Sequence, residues 1–132
     1  MSVPFRRTRV RFAFPGGGGM SDCIFCKIAA GQIPAKIEYQ NEHVVAFRDL
    51  NPQAPVHMLV IPRKHIAKIS ETEAGDLHLV GECIRAANEL AVREKLGDGY
   101  RLVNNCGARA GQTVWHVHWH LLGGRAMGWP PG

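Results

Sequence analysis

The chain has 132 residues, 45% apolar and 20% charged, the size and balance of one domain with one core rather than a disordered or fibrous chain. Apolar runs such as residues 58–61 fall far short of the ~20 residues that span a bilayer. The net charge of +5 is unevenly placed: residues 1–19 carry Arg6, Arg7, Arg9 and Arg11 and no acid, while the other 113 residues hold 12 basic and 11 acidic groups. The body is nearly neutral, so neither a nucleic acid nor a membrane is expected as partner.

Residues 1–19 end in Pro15 and four glycines, which are expensive to fix in one shape. They lack the continuous apolar stretch of a secretory signal. They read as a disordered basic, Gly-rich extension, and residues 20–132 as the single domain of a cytoplasmic protein. Residues 23–30 suit a short helix stopped by Gly31 and Pro34. Residues 37–39 and 44–49 read as strands joined by a polar turn, and residues 51–55 break the chain with two prolines. Residues 57–62 form a mostly apolar strand that ends in Pro62. Leu77, Val80, Ile84, Ala87 and Ala91 recur at three- and four-residue steps, one apolar stripe on a long helix, which Gly97 and Gly99 end. Residues 100–104 are a further strand. Residues 114–122 alternate, with Trp115, Val117, Trp119 and Leu121 on one side and His116, His118 and His120 on the other. Short links and a majority of strands predict an α+β fold: an antiparallel sheet of about five strands, one long helix and a short N-terminal helix.

Four cysteines without an export signal argue against a disulfide framework. Cys23 and Cys26 have the spacing of half a metal site, whereas Cys83 and Cys106 read as small core residues. Three histidines at period two on one strand are harder to read as packing. Neutral imidazoles each offer a donor and an acceptor and become cationic near pH 7. The row suits catalysis, phosphate binding or a metal, although alternate strand positions lie ~6.6–6.8 Å apart, wide for three ligands of one ion. Upstream, Gly107 and Gly111 let backbone approach a ligand, and Asn105, Thr113 and free N–H groups are natural phosphate donors.

His116-Val117-His118-Trp119-His120-Leu121-Leu122 resembles the His-φ-His-φ-His-φ-φ signature of the histidine-triad (HIT) superfamily, where φ is apolar. The likeness extends through Cys23-Ile24-Phe25-Cys26, Pro52-Gln53-Ala54-Pro55-Val56-His57 and Leu59-Val60-Ile61-Pro62-Arg63-Lys64-His65. The ending Trp129-Pro130-Pro131-Gly132 is similar to the Hint branch, the purine nucleoside phosphoramidases. His120 argues against the nucleotidylyltransferase branch, where glutamine stands there.

The resemblance implies a hydrolase that cleaves the P–N bond of purine nucleoside 5′-phosphoramidates. His118 would be the nucleophile, with His116 and His120 completing the catalytic set. His120, Gln112 and Thr113 would hold phosphate oxygens. Asp49 would bind the ribose hydroxyls, since a carboxylate accepts from two vicinal hydroxyls. Asn105 and Gly111 would line the phosphate and ribose, and Phe25, Ile28, Phe47 and Leu50 the base, unless these apolar residues simply fill the core. No catalytic cofactor is implied. Cys23, Cys26, His65 and His116 match a structural zinc set of some members, with free thiols as the alternative. The branch also implies a homodimer in which Trp129 reaches the partner's pocket, the long-helix stripe serving as partner surface. A nucleotide-binding scaffold or sensor and a dinucleoside polyphosphate hydrolase are the competing readings.

Overall fold

A computed structural model describes residues 22–132; the expectation for residues 1–19 lies outside them. Five antiparallel strands, β1 (Ile37–Gln40), β2 (Val44–Arg48), β3 (Val56–Pro62), β4 (Tyr100–Val103) and β5 (Trp119–Gly123), form one sheet in the order β1-β2-β3-β5-β4. Helices α1 (Ile24–Ala29) and α2 (Leu77–Arg93) complete the α+β architecture that the strand count anticipates. Cys23 caps α1, its Sγ accepting the Cys26 N–H at 3.3 Å. Gly31, at φ 73°, reverses the chain after it, a conformation that glycine adopts without strain. Among the described residues no helix is long and apolar enough to cross a membrane.

Side-chain alternation gives the sheet two covered faces. Val44, Ala46, Met58, Val60, Trp119 and Leu121 pack beneath α2 against Leu79, Cys83, Ala86 and Leu90. Val45, Phe47, Leu59 and Ile61 face the other way and pack with Ile37 and with Phe25 of α1. Each such side chain contributes roughly 1.5–3 kcal/mol when fully buried. Cys83 is a core residue, as expected, and burial pushes its thiol up to about 12. Cys106 is not: it sits half-buried in a loop, where hydrogen bonding with Ser70 holds its thiol below the usual range.

Two expectations need correction. Helix α2 buries Leu79, Cys83, Ala86, Ala87, Leu90 and Ala91, so the stripe read from the sequence is rotated from the true contact face. Leu77 is 60% exposed, while Ala87 and Ala91 lie inside this chain's own core and cannot form a partner surface. The final strand is also shorter than its alternation suggests. Pro62 ends β3 and has no N–H to continue the ladder. Beside it the incoming chain leaves the sheet: the Val117 N–H donates to the Ile66 carbonyl at 2.6 Å, and His116 Nε2 donates to the Pro62 carbonyl at 2.7 Å. Alternation persists because Val117, Trp119 and Leu121 all enter the α2-side core. Trp115 does not; it is 45% exposed.

Candidate active site

Backbone contacts fix the protons of the histidines. His118 Nδ1 lies 2.8 Å from the His116 carbonyl, and a carbonyl only accepts, so Nδ1 carries the hydrogen and the neutral ring presents a bare Nε2. Asn104 Nδ2 donates to the His118 carbonyl at 2.9 Å, holding the backbone on the other side. Phe25 meets the His118 ring edge-on, centroids 5.2 Å apart, and Phe47 meets Phe25 at 5.3 Å. The nucleophile candidate is 6% exposed and braced in one orientation.

His57, to which the sequence assigns no role, completes the arrangement from β3. Leu59 pairs with His120 across the β3–β5 ladder, which places His57 diagonal to His120 on the same face. The Gln53 N–H donates to His57 Nδ1 at 3.0 Å, so in the neutral ring Nε2 bears the proton. That proton goes to His120 Nδ1 at 2.8 Å, with Asp49 Oδ2 3.5 Å away. His120 therefore accepts on Nδ1 and keeps its own hydrogen on Nε2. Burial is the main reason both rings stay neutral: it lowers His57, and it lowers His120 to about 4 with help from repulsion by His118 and His57, against the pull of Asp49. The pair thus offers a bare nitrogen on His118 beside an N–H on His120, their ring centroids 5.1 Å apart.

The structure sorts the other expected residues. Asp49 is a neighbour of the histidines, and its Oδ1 accepts the Asn51 N–H at 2.8 Å. Asn105 lies against Gly111, where a Cβ would stand 3.9 Å from Asn105 Nδ2. Gly107 and Gly111 have φ of 94° and 99°, which explains both glycines. Gln112 has a different job from the phosphate contact expected: its carbonyl accepts the Gly107 N–H at 2.9 Å and its amide donates to Ala67 and Val114 carbonyls at 2.7 and 3.0 Å. With both ends engaged and 4% exposure, it braces the loop. Thr113 is exposed and, with Ile24, Val114 and Trp115, lines a cavity of about 460 Å³ over Cys23 and His65. Phe25, Phe47 and Ile28 belong to the core beneath the site. Leu50 does not join them and stands fully in solvent. Trp129 is 84% exposed in the C-terminal segment.

His116 belongs elsewhere than the expected catalytic set. It is fully buried, its Nε2–H goes to Pro62, and its Nδ1 faces Cys23 Sγ and Cys26 Sγ, each at 3.4 Å. His65 Nδ1 lies 3.3 Å from Cys26 Sγ, and one donor atom from each of the four residues falls within 4.8 Å of the others. A tetrahedral zinc, with sulfur at about 2.3 Å and nitrogen at about 2.0–2.1 Å, separates unlike ligands by about 3.5 Å. The donor set fits that ion in type, number and spacing. The Pro62 carbonyl supplies the outer contact that fixes which ring nitrogen faces it.

Burial lowers His116 to about 4, and His120 falls as far, against 6.5 for an unperturbed ring. The unfolded chain then binds more protons between these values, so stability is full above about pH 6.5 and is lost as pH falls toward 4. Chelator-treated protein is expected to show a falling Tm across that window; a flat Tm from pH 7 to 4.5 would contradict the burial argument.

Residues 30–127 match the family model of the HIT domain. A HIT-like protein of Synechococcus elongatus is 50% identical over 111 residues, spanning 84% of this chain and 97% of the relative. A HIT family hydrolase from Legionella pneumophila has the same fold, with a TM-score of 0.82 at 50% identity over 84% of this chain and 100% of that one. A histidine triad nucleotide-binding protein from Candida albicans has a TM-score of 0.72 at 32% identity, covering 83% of each chain.

Proposed function

The chain belongs to the HIT domain family, and on that premise we propose that it is a hydrolase of purine nucleoside 5′-phosphoramidates, releasing the nucleoside monophosphate and an amine. The observation that carries the reading is the bare His118 Nε2 beside the protonated His120 Nε2, each fixed by a hydrogen bond on the opposite side of its ring. A scaffold that only holds a nucleotide has no use for an oriented lone pair on a buried imidazole. The Candida albicans relative is named for nucleotide binding and the Legionella pneumophila relative for hydrolysis.

In the reaction the His118 Nε2 lone pair attacks phosphorus, and the P–N bond to the amine breaks as the N–P bond forms. His120 Nε2–H donates to a phosphoryl oxygen and stabilises the charge that builds in transfer. The departing amine takes a proton from solvent. Water then attacks phosphorus in the nucleotidyl-histidine, giving its proton to solvent and returning the electron pair to His118. Asp49 is placed to accept from ribose hydroxyls, and Asn105 and Gly111 to line the phosphate. Cys23, Cys26, His65 and His116 hold a structural zinc away from this chemistry, tying α1 to the chain that enters β5. Protein purified without chelator is then expected to carry about one zinc per chain, released as acid protonates the ligands; metal-free protein by elemental analysis would refute the assignment.

The decisive experiment offers the pure protein adenosine and guanosine 5′-phosphoramidates and, separately, a dinucleoside tetraphosphate. Monophosphate and free amine from the first two are expected. Turnover of the tetraphosphate alone would overturn the reading.

We also take the working form to be a homodimer. Edge strand β4 and the exposed Leu77 and Val92 of α2 are features that a partner would cover. Light scattering should give a mass near twice 14.5 kDa. Trp129, unpartnered in the single chain, would then pack against the leaving group in the partner's site. Trp129→Ala is expected to change the ratio of kcat/KM between bulky and small amines several-fold while moving Tm little. Unchanged selectivity would remove Trp129 from the pocket.

A further inference from the structure

We propose that Arg125, on the surface after β5, is a positioning residue that sets the proton on His120 through Gln53 and His57. This inference rests on the reactive pair described above. The tautomer of His57 depends on one donor, the Gln53 N–H at 3.0 Å. Gln53 lies in the irregular segment between β2 and β3, flanked by Pro52 and Pro55 and exposed to solvent. Its side chain is turned back onto the Asn51 carbonyl. What holds its backbone is the C-terminal segment: Arg125 Nε donates to the Gln53 carbonyl at 3.0 Å, while Arg125 Nη1 donates to the Ala126 carbonyl and fixes the plane of the guanidinium. Beside it Gly124, at φ 89°, sits so close to Pro55 that a Cβ would fall 2.9 Å from the proline ring. The segment after β5 is therefore seated on the loop before β3 at two adjacent points.

The consequence is carried by two rings at once. If the Gln53 N–H swings away, His57 can place its proton on Nδ1 and turn a bare Nε2 toward His120. His120 must then donate from Nδ1, which leaves its own Nε2 without the hydrogen that a phosphoryl oxygen needs. One hydrogen bond of ordinary strength shifts such an equilibrium by roughly threefold to tenfold. Substrate binding through Asp49 and the phosphate loop is untouched, so the effect falls on kcat and not on KM.

The test measures imidazole tautomers directly, from two-bond proton–nitrogen correlations of nitrogen-15-labelled full-length protein, alongside phosphoramidate turnover. The native protein should show His57 and His120 each protonated on Nε2. Arg125→Ala should show mixed tautomers at both rings and a kcat lower by about threefold to tenfold, with KM within twofold. Arg125→Lys should recover part of both, since an ammonium can still donate to the Gln53 carbonyl. Arg101→Ala serves as the control, because it cuts a different tie on the same segment, Arg101 Nη2 to the Gly128 carbonyl at 2.8 Å. It should leave the tautomers as in the native protein. A single native tautomer in Arg125→Ala, or the same mixture in Arg101→Ala, would overturn the proposal. If the native protein cleaves no phosphoramidate, the functional reading fails, and the spectra alone still decide the clamp.

Discussion

His118→Ala is expected to lower phosphoramidate turnover by about a thousandfold or more, the order of loss seen when a covalent nucleophile is removed. Nucleotide Kd should change little, because the lost atom is needed to form the N–P bond and not to hold the ribose or the base. The ring is 6% exposed and packed against Phe25, so a folding defect must be told apart from a chemical one. Two measurements do that. Native-like Tm and Kd in the variant place the loss in the chemical step, and His118→Gly with added imidazole should recover part of the turnover in a fold unchanged from the variant without it. Rapid acid quenching of the native enzyme should yield a nucleotide-bearing peptide containing residues 114–122. Near-native kcat in His118→Ala would end the covalent mechanism.

How much of this site is legible in the sequence depends on what kind of fact each residue is. Period two along a strand is local, so the shared face of His116, His118 and His120 is visible in residues 114–122 alone, as is the opposite, apolar face that packs beneath α2. Pairing is not local. Nothing within residues 56–62 says that His57 comes within 2.8 Å of His120; that depends on β5 inserting between β3 and β4. The division of labour inside the triad is equally non-local. His116 has the same alternation as His118, yet the loss of the ladder beside Pro62 turns it toward Cys23 and Cys26. Gln112 reads as a ligand because amides bind phosphate, but its buried position makes it satisfy three backbone groups first. The α2 stripe is hard to place from sequence because cysteine and alanine supply much of the true contact face, and small residues weigh little beside Leu77 and Val80 when apolar faces are sought.

The same non-local logic governs the largest stability effect. Glu38→Ala is expected to cost about 3–5 kcal/mol, the range for breaking a buried ion pair by deleting one partner, out of a total of about 5–15 kcal/mol for a domain of this kind. Alternation would place Glu38 on one face and Ile37 and Tyr39 together on the other. Instead the β1–β2 register shifts between Ile37 and Tyr39, and those two residues pack on opposite faces of the sheet. Such an irregularity bends the strand locally, and Glu38 ends fully buried near the C-terminal end of α2. There Oε1 accepts from Arg48 Nε at 2.9 Å and Oε2 from Arg93 Nη2 at 2.8 Å, while Arg93 Nη1 also takes the Glu38 carbonyl. Glu94 supplies the second carboxylate, on Arg48 Nη2. Two acids and two guanidiniums balance, so the network is stable only as a set. Without Glu38 the two arginines share one carboxylate and partly desolvated positive charge is left over. Urea unfolding should show a lower midpoint at constant slope, and Glu38→Gln should recover the shape but only part of the energy, because its amide faces a guanidinium with a donor. Arg48 directly precedes Asp49, so the loosened end of β2 should weaken nucleotide binding as well. An unchanged midpoint in Glu38→Ala would mean that water replaces the carboxylate without penalty and that β1 is held by its apolar contacts alone.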